Sequence, residues 1–249
     1  MKYGICPLGL VPLRKENDHK SELVSQLLYG DCFKIIDERK EWLKVRLQWD
    51  NYEGWISHNQ VHYIELEDFK GVQEKIFRGS GNLIDFVHLS TNEIVPVPFG
   101  SDLRGLSLLN HTIEELPEPM AANKAAIVQT AYQYLHAPYL WGGKTPLGID
   151  CSGLTQMVYK MHGIQLKRDA YQQAQQGTTL SFIEESEPGD LAFFDNKEGE
   201  IIHVGILLQN HYILHAHGKV RIDRIDQTGI FNTEKQTHSH KLRLIKSLL

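Results

Sequence analysis

Residues 139–154 read YLWGGKTPLGIDCSGL, and they place one cysteine, Cys151, directly after an aspartate and a glycine-rich loop. The apolar pattern that follows predicts a helix beginning at this cysteine. Unpaired backbone N–H groups and the positive end of the helix dipole stabilise an anion in the first turn, which predicts a lowered thiol pKa. The same N–H groups can donate to a developing oxyanion. The stretch therefore predicts a cysteine nucleophile.

Two helices are predicted around this loop. Apolar residues at helical spacing favour a first helix over residues 121–136, which Pro138 ends. The second helix is predicted from Cys151 to about His162, because its apolar residues fall on one stripe. Gly163, just beyond it, is suited to a C-terminal cap.

The base for this cysteine has to be chosen among thirteen histidines. Residues 201–208 and 212–216 predict two apolar strands interrupted by His203 and His215, and a buried imidazole needs a hydrogen-bonding partner. A three-residue loop over 208–210 would set His203 opposite His215 on one face, whereas a two-residue loop would separate them. With the odd loop, His203 is the predicted base and His215 its orienting partner.

Composition excludes several classes of protein. The 249 residues are 41% hydrophobic and carry a net charge of -5, without a basic block that would suit nucleic acid. Cys6, Cys32 and Cys151 form no close pair, which argues against disulfides and a cysteine zinc site and favours a cytoplasmic setting. Cys6 and Cys32 are expected in the core. No signal peptide or membrane span is predicted.

The chain is expected to contain three regions. Short alternating apolar runs predict a small β-barrel over residues 1–65, and the order LLYGD, EWLKV, YEGWI resembles a bacterial SH3-like domain. Residues 66–119 are expected to hold a connecting β segment, either a reduced second SH3-like unit or an extension of the first, and a linker beginning at HTIEELPEPMA. Residues 120–249 are expected to form the catalytic domain.

The catalytic half resembles the NlpC/P60 cell-wall cysteine peptidases. The matching residues, in chain order, are Tyr139, Trp141-Gly142-Gly143, Asp150-Cys151-Ser152-Gly153, Arg168-Asp169, Pro188-Gly189-Asp190-Leu191, His203-Val204-Gly205-Ile206 and His215-Ala216. The resemblance implies an α+β fold with a papain-like core, in which helices pack on an antiparallel sheet. It also implies a Cys-His-His triad that cleaves the γ-D-glutamyl bond to a diamino acid, diaminopimelate or lysine, in murein peptides.

The resemblance assigns roles to individual residues. Cys151 is the implied nucleophile, His203 the base and later general acid, and His215 its orienting partner. Tyr139 is implied to help hold the oxyanion. The implied substrate-pocket residues are Asp150, Ser152, Asp169 and Trp141, the last of which is open to a packing role instead. No metal or cofactor is implied.

The N-terminal barrel resembles the one found in peptidases that recycle released murein peptides. In that subgroup a glutamate and a tyrosine of the barrel bind the free L-alanine ammonium, and the matching positions are Glu22 and Tyr52. A carboxylate facing an ammonium in a closed pocket makes a strong charge-assisted pair. The implied activity releases L-Ala-γ-D-Glu from murein tripeptide or tetrapeptide, and a monomer without nucleic-acid or membrane partners is expected.

Three alternatives remain open. A metal site would use Cys151, His203, His215 and His217, although no local ligand spacing supports it. A second alternative keeps the enzyme but changes its task to wall hydrolysis outside recycling or to acyl transfer. The third is a catalytically silent murein-binding module, which the presence of all three triad residues disfavours.

Overall fold

The computed structural model describes residues 2–233 and 235–249, which divide into two compact units. The first unit comprises Met1–Met120 and Trp141–Thr145, and the second comprises Ala121–Leu140 and Pro146–Leu249. Both units combine helices with antiparallel sheets, which confirms the α+β class in broad terms. No helix among the described residues is long and apolar enough to cross a membrane.

The first unit begins with a seven-stranded, barrel-like antiparallel sheet in the order β3-β2-β6-β5-β4-β1-β7. Its strands are β1 Lys2–Ile5, β2 Leu10–Arg14, β3 Leu23–Leu28, β4 Cys32–Arg39, β5 Trp42–Leu47, β6 Glu53–Ser57 and β7 His62–Ile64. Alternate apolar residues of these strands point inward and form one core cluster, which contains Cys6. Cys32 is buried in a second cluster, so both cysteines are core residues as predicted.

The rest of the first unit is more ordered than a linker. Helix α1 covers Leu66–Glu74, and strands β8 Ile84–Leu89, β9 Ile94–Pro98 and β10 His111–Ile113 form a sheet in the order β10-β8-β9. The expectation of a linker beginning at His111 is therefore wrong for its first three residues. They pair with β8, because their alternating side chains suit a strand at the sheet edge.

The remaining helices and strands lie in the peptidase-like half of the sequence. They are α2 Lys124–Tyr132, β11 Lys144–Thr145, β12 Gly148–Ile149, α3 Cys151–Met161, α4 Ala170–Gln173, β13 Thr178–Leu180, β14 Leu191–Asp195, β15 Ile201–Leu208, β16 Tyr212–His217, β17 Lys219–Ile225, β18 Gly229–Asn232 and β19 Thr237–Ser247. Helix α3 begins at Cys151 as predicted. Gly163 beyond its end has φ +71°, the left-handed conformation that the predicted cap requires.

Six strands of the second unit close into a barrel. The sheet order is β13-β19-β14-β15-β16-β17-β18, and β18 also pairs with β19. Strand β14 is buried along its whole length, and helix α3 packs against β15 and β16. The closed sheet therefore brings the β19 end of the chain back beside strands that lie far earlier in the sequence.

The β15–β16 hairpin differs from the prediction by one position. Its loop has three residues, but it spans Gln209–His211 rather than 208–210, so His215 pairs with Gly205. The predicted pairing of His203 with His215 is therefore wrong. Both side chains still lie on one face of the sheet, on a diagonal, because the loop length is odd.

The Gly205→Ala substitution tests how closely His215 approaches this strand. A Cβ built on Gly205 would lie 2.9 Å from the Cβ of His215 and 2.8 Å from Ile213 Cδ1, so the hairpin would have to shift. We expect the free energy of unfolding to fall by about 1–3 kcal/mol, as measured by urea denaturation. The control is Gly71→Ala, whose added Cβ meets nothing within 4 Å and should not destabilise. Equal losses for both variants would contradict the close approach.

Candidate active site

Cys151 lies at the start of α3 and is 7% exposed. Asp150 caps the helix, since its Oδ1 accepts the backbone N–H of Gly153 at 2.6 Å. The backbone N–H groups of Val204 and Ser152 donate to the sulfur of Cys151. Because Val204 directly follows His203, the cysteine is held against β15 beside the predicted base.

Burial dominates the acidity of this thiol. Burial and, to a smaller extent, the charge of Asp150 raise the pKa of Cys151, the Val204 N–H and Arg168 lower it, and the net result is a pKa of about 12. The prediction that the helix terminus lowers this pKa is therefore wrong. The loss of water around the sulfur outweighs the stabilisation that the helix start provides.

Tyr139 lies close enough to the cysteine to feel its charge. Burial, together with the charges of Cys151 and Asp150, raises the pKa of its hydroxyl to about 12. The ring is nevertheless 37% exposed, and its backbone N–H donates to Gly218 O at 3.0 Å. Tyr139 thus presents a protonated hydroxyl beside Cys151, as an oxyanion donor must.

A buried ion pair supports the start of α3. Both terminal nitrogens of Arg168 contact Asp150, with Nη2–Oδ2 at 2.5 Å and Nη1–Oδ1 at 3.0 Å, and Nη1 also donates to Ser152 Oγ at 3.0 Å. All three side chains are buried. The oxygens of Asp150 and Ser152 are thus engaged by Arg168, while Asp169, which starts α4, is half-buried.

The two predicted histidines form a hydrogen-bonded pair. His203 Nε2 lies 2.9 Å from His215 Nδ1, and both rings are buried. On its other side, His215 Nε2 lies 3.0 Å from Asp223 Oδ2. Arg221 pairs with the same carboxylate: its Nη2 donates to Oδ1 at 2.8 Å, and its Nε lies 2.7 Å from Oδ2. A continuous polar chain therefore runs from β15 through β16 to β17.

Two further histidines complete a histidine cluster, which consists of His203, His215, His217 and His240. The ring of His240 stacks on that of His203 with centroids 4.2 Å apart and an interplanar angle of 23°. Burial, together with the neighbouring imidazoles, holds the pKa of His203 well below its usual value. Burial and the charges of His215 and His217 lower the pKa of His240 to about 4. His203 and His240 therefore favour the neutral form.

Whether the histidine cluster can hold a metal ion depends on the arrangement of its side chains. Across residues 2–233 and 235–249, no group of three or more His, Cys, Asp or Glu side chains is arranged to hold a metal ion. The ligand set of the metal-site alternative thus finds no support in the described part of the chain.

Glu22 and Tyr52, the substrate-binding residues predicted in the barrel, lie in the first unit, and so does Trp141, which the sequence predicts within residues 120–249. Trp141 Nε1 donates to Glu22 Oε1 at 2.8 Å, and Lys15 Nζ lies 3.3 Å from Glu22 Oε2. Trp141 is 60% exposed, which disfavours the packing alternative. Tyr52 is half-buried and packs against the barrel core. Glu22 is thus an oriented carboxylate rather than a fully solvated one.

Asp223, Arg221 and His240 are absent from the sequence prediction. Asp223 carries a faint signal, because it is an acid between two isoleucines in the strand pattern KVRIDRI. His240 carries none, since it lies in a polar stretch whose pairing with β18 cannot be read locally.

Comparison with known proteins agrees with this geometry. Residues 136–239 match the NlpC/P60 family, and residues 13–61 match the bacterial dipeptidyl-peptidase SH3 domain. Dipeptidyl-peptidase 6 of Lysinibacillus sphaericus is 29% identical over 86% of this chain and 89% of its own length. A gamma-D-glutamyl-L-lysine dipeptidyl-peptidase of Bacillus subtilis strain 168 is 27% identical over 77% of this chain and 71% of its own.

A solved structure supports the fold. The crystal structure of an NlpC/P60 family protein from Bacillus cereus superposes with a TM-score of 0.83 over 99% of both chains, at 19% sequence identity. The chain is a cysteine peptidase, and it carries an NlpC/P60 domain preceded by a bacterial SH3 domain.

The Arg168→Met substitution tests the ion pair beneath Cys151. Removal of the cation leaves Asp150 charged and buried, which should lower the free energy of unfolding by about 3–5 kcal/mol in urea denaturation. Alkylation of Cys151 should also slow at a given pH, because Arg168 lowers the pKa of this thiol.

The matched control removes both charges. In Asp150→Asn/Arg168→Met the cap is retained, since Asn caps helices as well as Asp, and no buried charge is left unpaired. The double variant should be more stable than Arg168→Met alone. If it is less stable, the loss in the single variant has another origin.

Proposed function

We propose that this enzyme hydrolyses the bond between γ-D-glutamate and a diamino acid in murein peptides with a free N-terminal L-alanine, releasing L-Ala-γ-D-Glu. The observation that carries the proposal is the buried Cys151, held against β15 beside the His203–His215 pair. The names of the relatives, which specify γ-D-glutamyl-L-lysine cleavage, support the substrate class.

Cys151 is the nucleophile in the proposed reaction. Its thiol proton passes to His203 as the sulfur attacks the γ-carbonyl carbon, because a thiol with a raised pKa needs a base. The oxyanion that forms accepts hydrogen bonds from the Cys151 backbone N–H and the Tyr139 hydroxyl. His203 then protonates the leaving amine, the C–N bond breaks, and a thioester remains on the sulfur.

The second half of the reaction returns the enzyme to its starting state. His203 takes a proton from water, the resulting hydroxide attacks the thioester carbon, and the sulfur leaves and regains its proton. His215 orients His203 throughout. Asp150 and Ser152 position the start of α3 through Arg168, and the less buried Asp169 lines the substrate pocket.

Substrate choice is assigned to the first unit. Glu22 and Tyr52 recognise the alanine ammonium, and Trp141 orients the Glu22 carboxylate through its indole N–H. A preference for a free amine suits cytoplasmic recycling of released peptides over cleavage of wall strands.

The Cys151→Ala variant tests the nucleophile. We expect turnover of L-Ala-γ-D-Glu-L-Lys and of its diaminopimelate analogue to fall to background, because no other described thiol faces the histidine pair, with thermal unfolding unchanged within a few degrees. Cys6→Ala is the control, since this thiol is buried in the barrel core. A chelator should have no effect. Full turnover by Cys151→Ala would refute a cysteine mechanism, and loss with chelator alone would indicate a metalloenzyme.

The Glu22→Gln variant tests recognition of the ammonium. Loss of one charge-assisted interaction should lower kcat/KM for the free peptide roughly 10- to 100-fold and leave little difference from the N-acetylated peptide. The wild type should strongly prefer the free peptide. The control is Lys15→Met, which removes the other partner of Glu22 and should retain that preference. Equal rates of the wild type on both peptides would contradict this assignment.

A further inference from the structure

Asp223 lies outside the triad, yet it ends the polar chain that begins at His203. Its carboxylate is 4% exposed and accepts two hydrogen bonds, one from His215 Nε2 and one from Arg221 Nη2, and Arg221 Nε lies 2.7 Å from Oδ2 as an ion pair. Burial raises the pKa of Asp223, but the hydrogen bonds from His215 and Arg221 outweigh it and leave the pKa below its usual value. The group is therefore an anion that can only accept hydrogen bonds.

An acceptor at this end fixes the direction of every hydrogen bond in the chain. His215 Nε2 must carry a proton in order to donate to Asp223. A neutral His215 then has its lone pair on Nδ1, so that nitrogen must accept from His203 Nε2–H at 2.9 Å. A neutral His203 in turn has its lone pair on Nδ1, which makes no hydrogen bond among the described residues.

We propose that Asp223 is a positioning residue of the peptidase site, which fixes the tautomers of both imidazoles so that the lone pair of His203 stays on Nδ1, ready for the Cys151 proton. The proposal rests on the proposed function for the roles of Cys151 and His203. The direction of these hydrogen bonds, however, is a property of the resting protein and can be measured without substrate.

Arg221 disfavours a second proton on His215, which would reverse the hydrogen bond to His203. A doubly protonated His215 would donate from Nδ1 to His203 Nε2 and force the His203 proton onto Nδ1. Burial lowers the pKa of His215 and Asp223 opposes this, while His217 and Arg221 lower it further. The other titratable rings that face His215 are those of His203 and of His240 on β19.

The hydrogen bonds from His203 through His215 to Asp223 stay in place during the reaction. When His203 Nδ1 takes the Cys151 proton, His203 becomes an imidazolium whose Nε2–H still donates to His215. No proton needs to move to Asp223, and the Nδ1 proton leaves with the amine. Asp223 therefore acts through His215 and touches no reacting atom.

The direct test is to read the tautomers by long-range ¹H–¹⁵N NMR on protein labelled with ¹⁵N-histidine, with signals assigned from single histidine substitutions. We expect both His203 and His215 to be protonated on Nε2 in the wild type, and protonated on Nδ1 in Asp223→Asn, where the amide can donate. A proton on His203 Nδ1 in the wild type, or tautomers unchanged by the substitution, would overturn the proposal. The wild-type spectrum decides even if the variant fails to fold.

Kinetics provide the second test. Asp223→Asn should lower kcat by roughly 10²- to 10⁴-fold, the scale of a base held in the wrong tautomer, with KM unchanged. Asp226→Asn, in the exposed Asp226–His238 pair, is the matched control and should keep full kcat. Full kcat in a folded Asp223→Asn protein would overturn the proposal.

Arg221→Gln gives a different signature. The pKa of His215 should rise when the Arg221 charge is removed, so the inactive protonated form persists to higher pH. The acid limb of kcat/KM should therefore move to higher pH, while the plateau falls less than in Asp223→Asn. A pH profile that does not move would count against this role. If no murein peptide is cleaved at all, the proposed function fails, whereas the tautomer spectra still decide the role of Asp223.

Discussion

The desolvation of Cys151 is the constraint on which the rest of this site depends. Moving the thiol pKa from 9.0 to about 12 makes the thiolate roughly 4 kcal/mol less favourable than in water. A helix terminus contributes about 0.3–1 kcal/mol at exposed positions and about 2 kcal/mol in partly buried ones, so it cannot reverse this. The neighbouring N–H groups and Arg168 lower the pKa as well, and the proposed mechanism adds His203 as the base that removes the proton.

The topology of the closed barrel brings the polar residues beside Cys151 together. His203, His215 and Asp223 lie on three consecutive antiparallel strands and share one face of the sheet, so their hydrogen bonds run across the strands. Gly205 leaves room for the diagonal approach of His215. The closure of β18 onto β19 returns the chain to the same place and stacks His240 on the base.

Local features of the site could be predicted from the sequence, and long-range ones could not. The start of α3 and its glycine cap follow from local pattern, and an odd hairpin loop sufficed to put the two histidines on one face. The register was displaced by one residue because Asn210 and His211 both adopt left-handed backbone, which no residue type in QNH specifies. Asp223 and His240 depend on the pairing of later strands, and the thiol pKa depends on burial, which is a tertiary property.

A neutral resting site has a chemical consequence. Burial opposes charge on both Cys151 and His203, so in the proposed mechanism the thiol and the imidazole gain their charges together, when a carbonyl carbon is present to accept the sulfur. The new imidazolium is buried, its Nε2–H donates to His215, and Asp223 is the carboxylate that faces it through His215. Because Arg221 already balances Asp223, the anion stabilises this charge without drawing a proton onto His215 beforehand. In the proposed mechanism, Asp223 and Arg221 together keep His203 neutral at rest and stabilise it when it is charged. Thiol reactivity then depends on a correctly placed substrate.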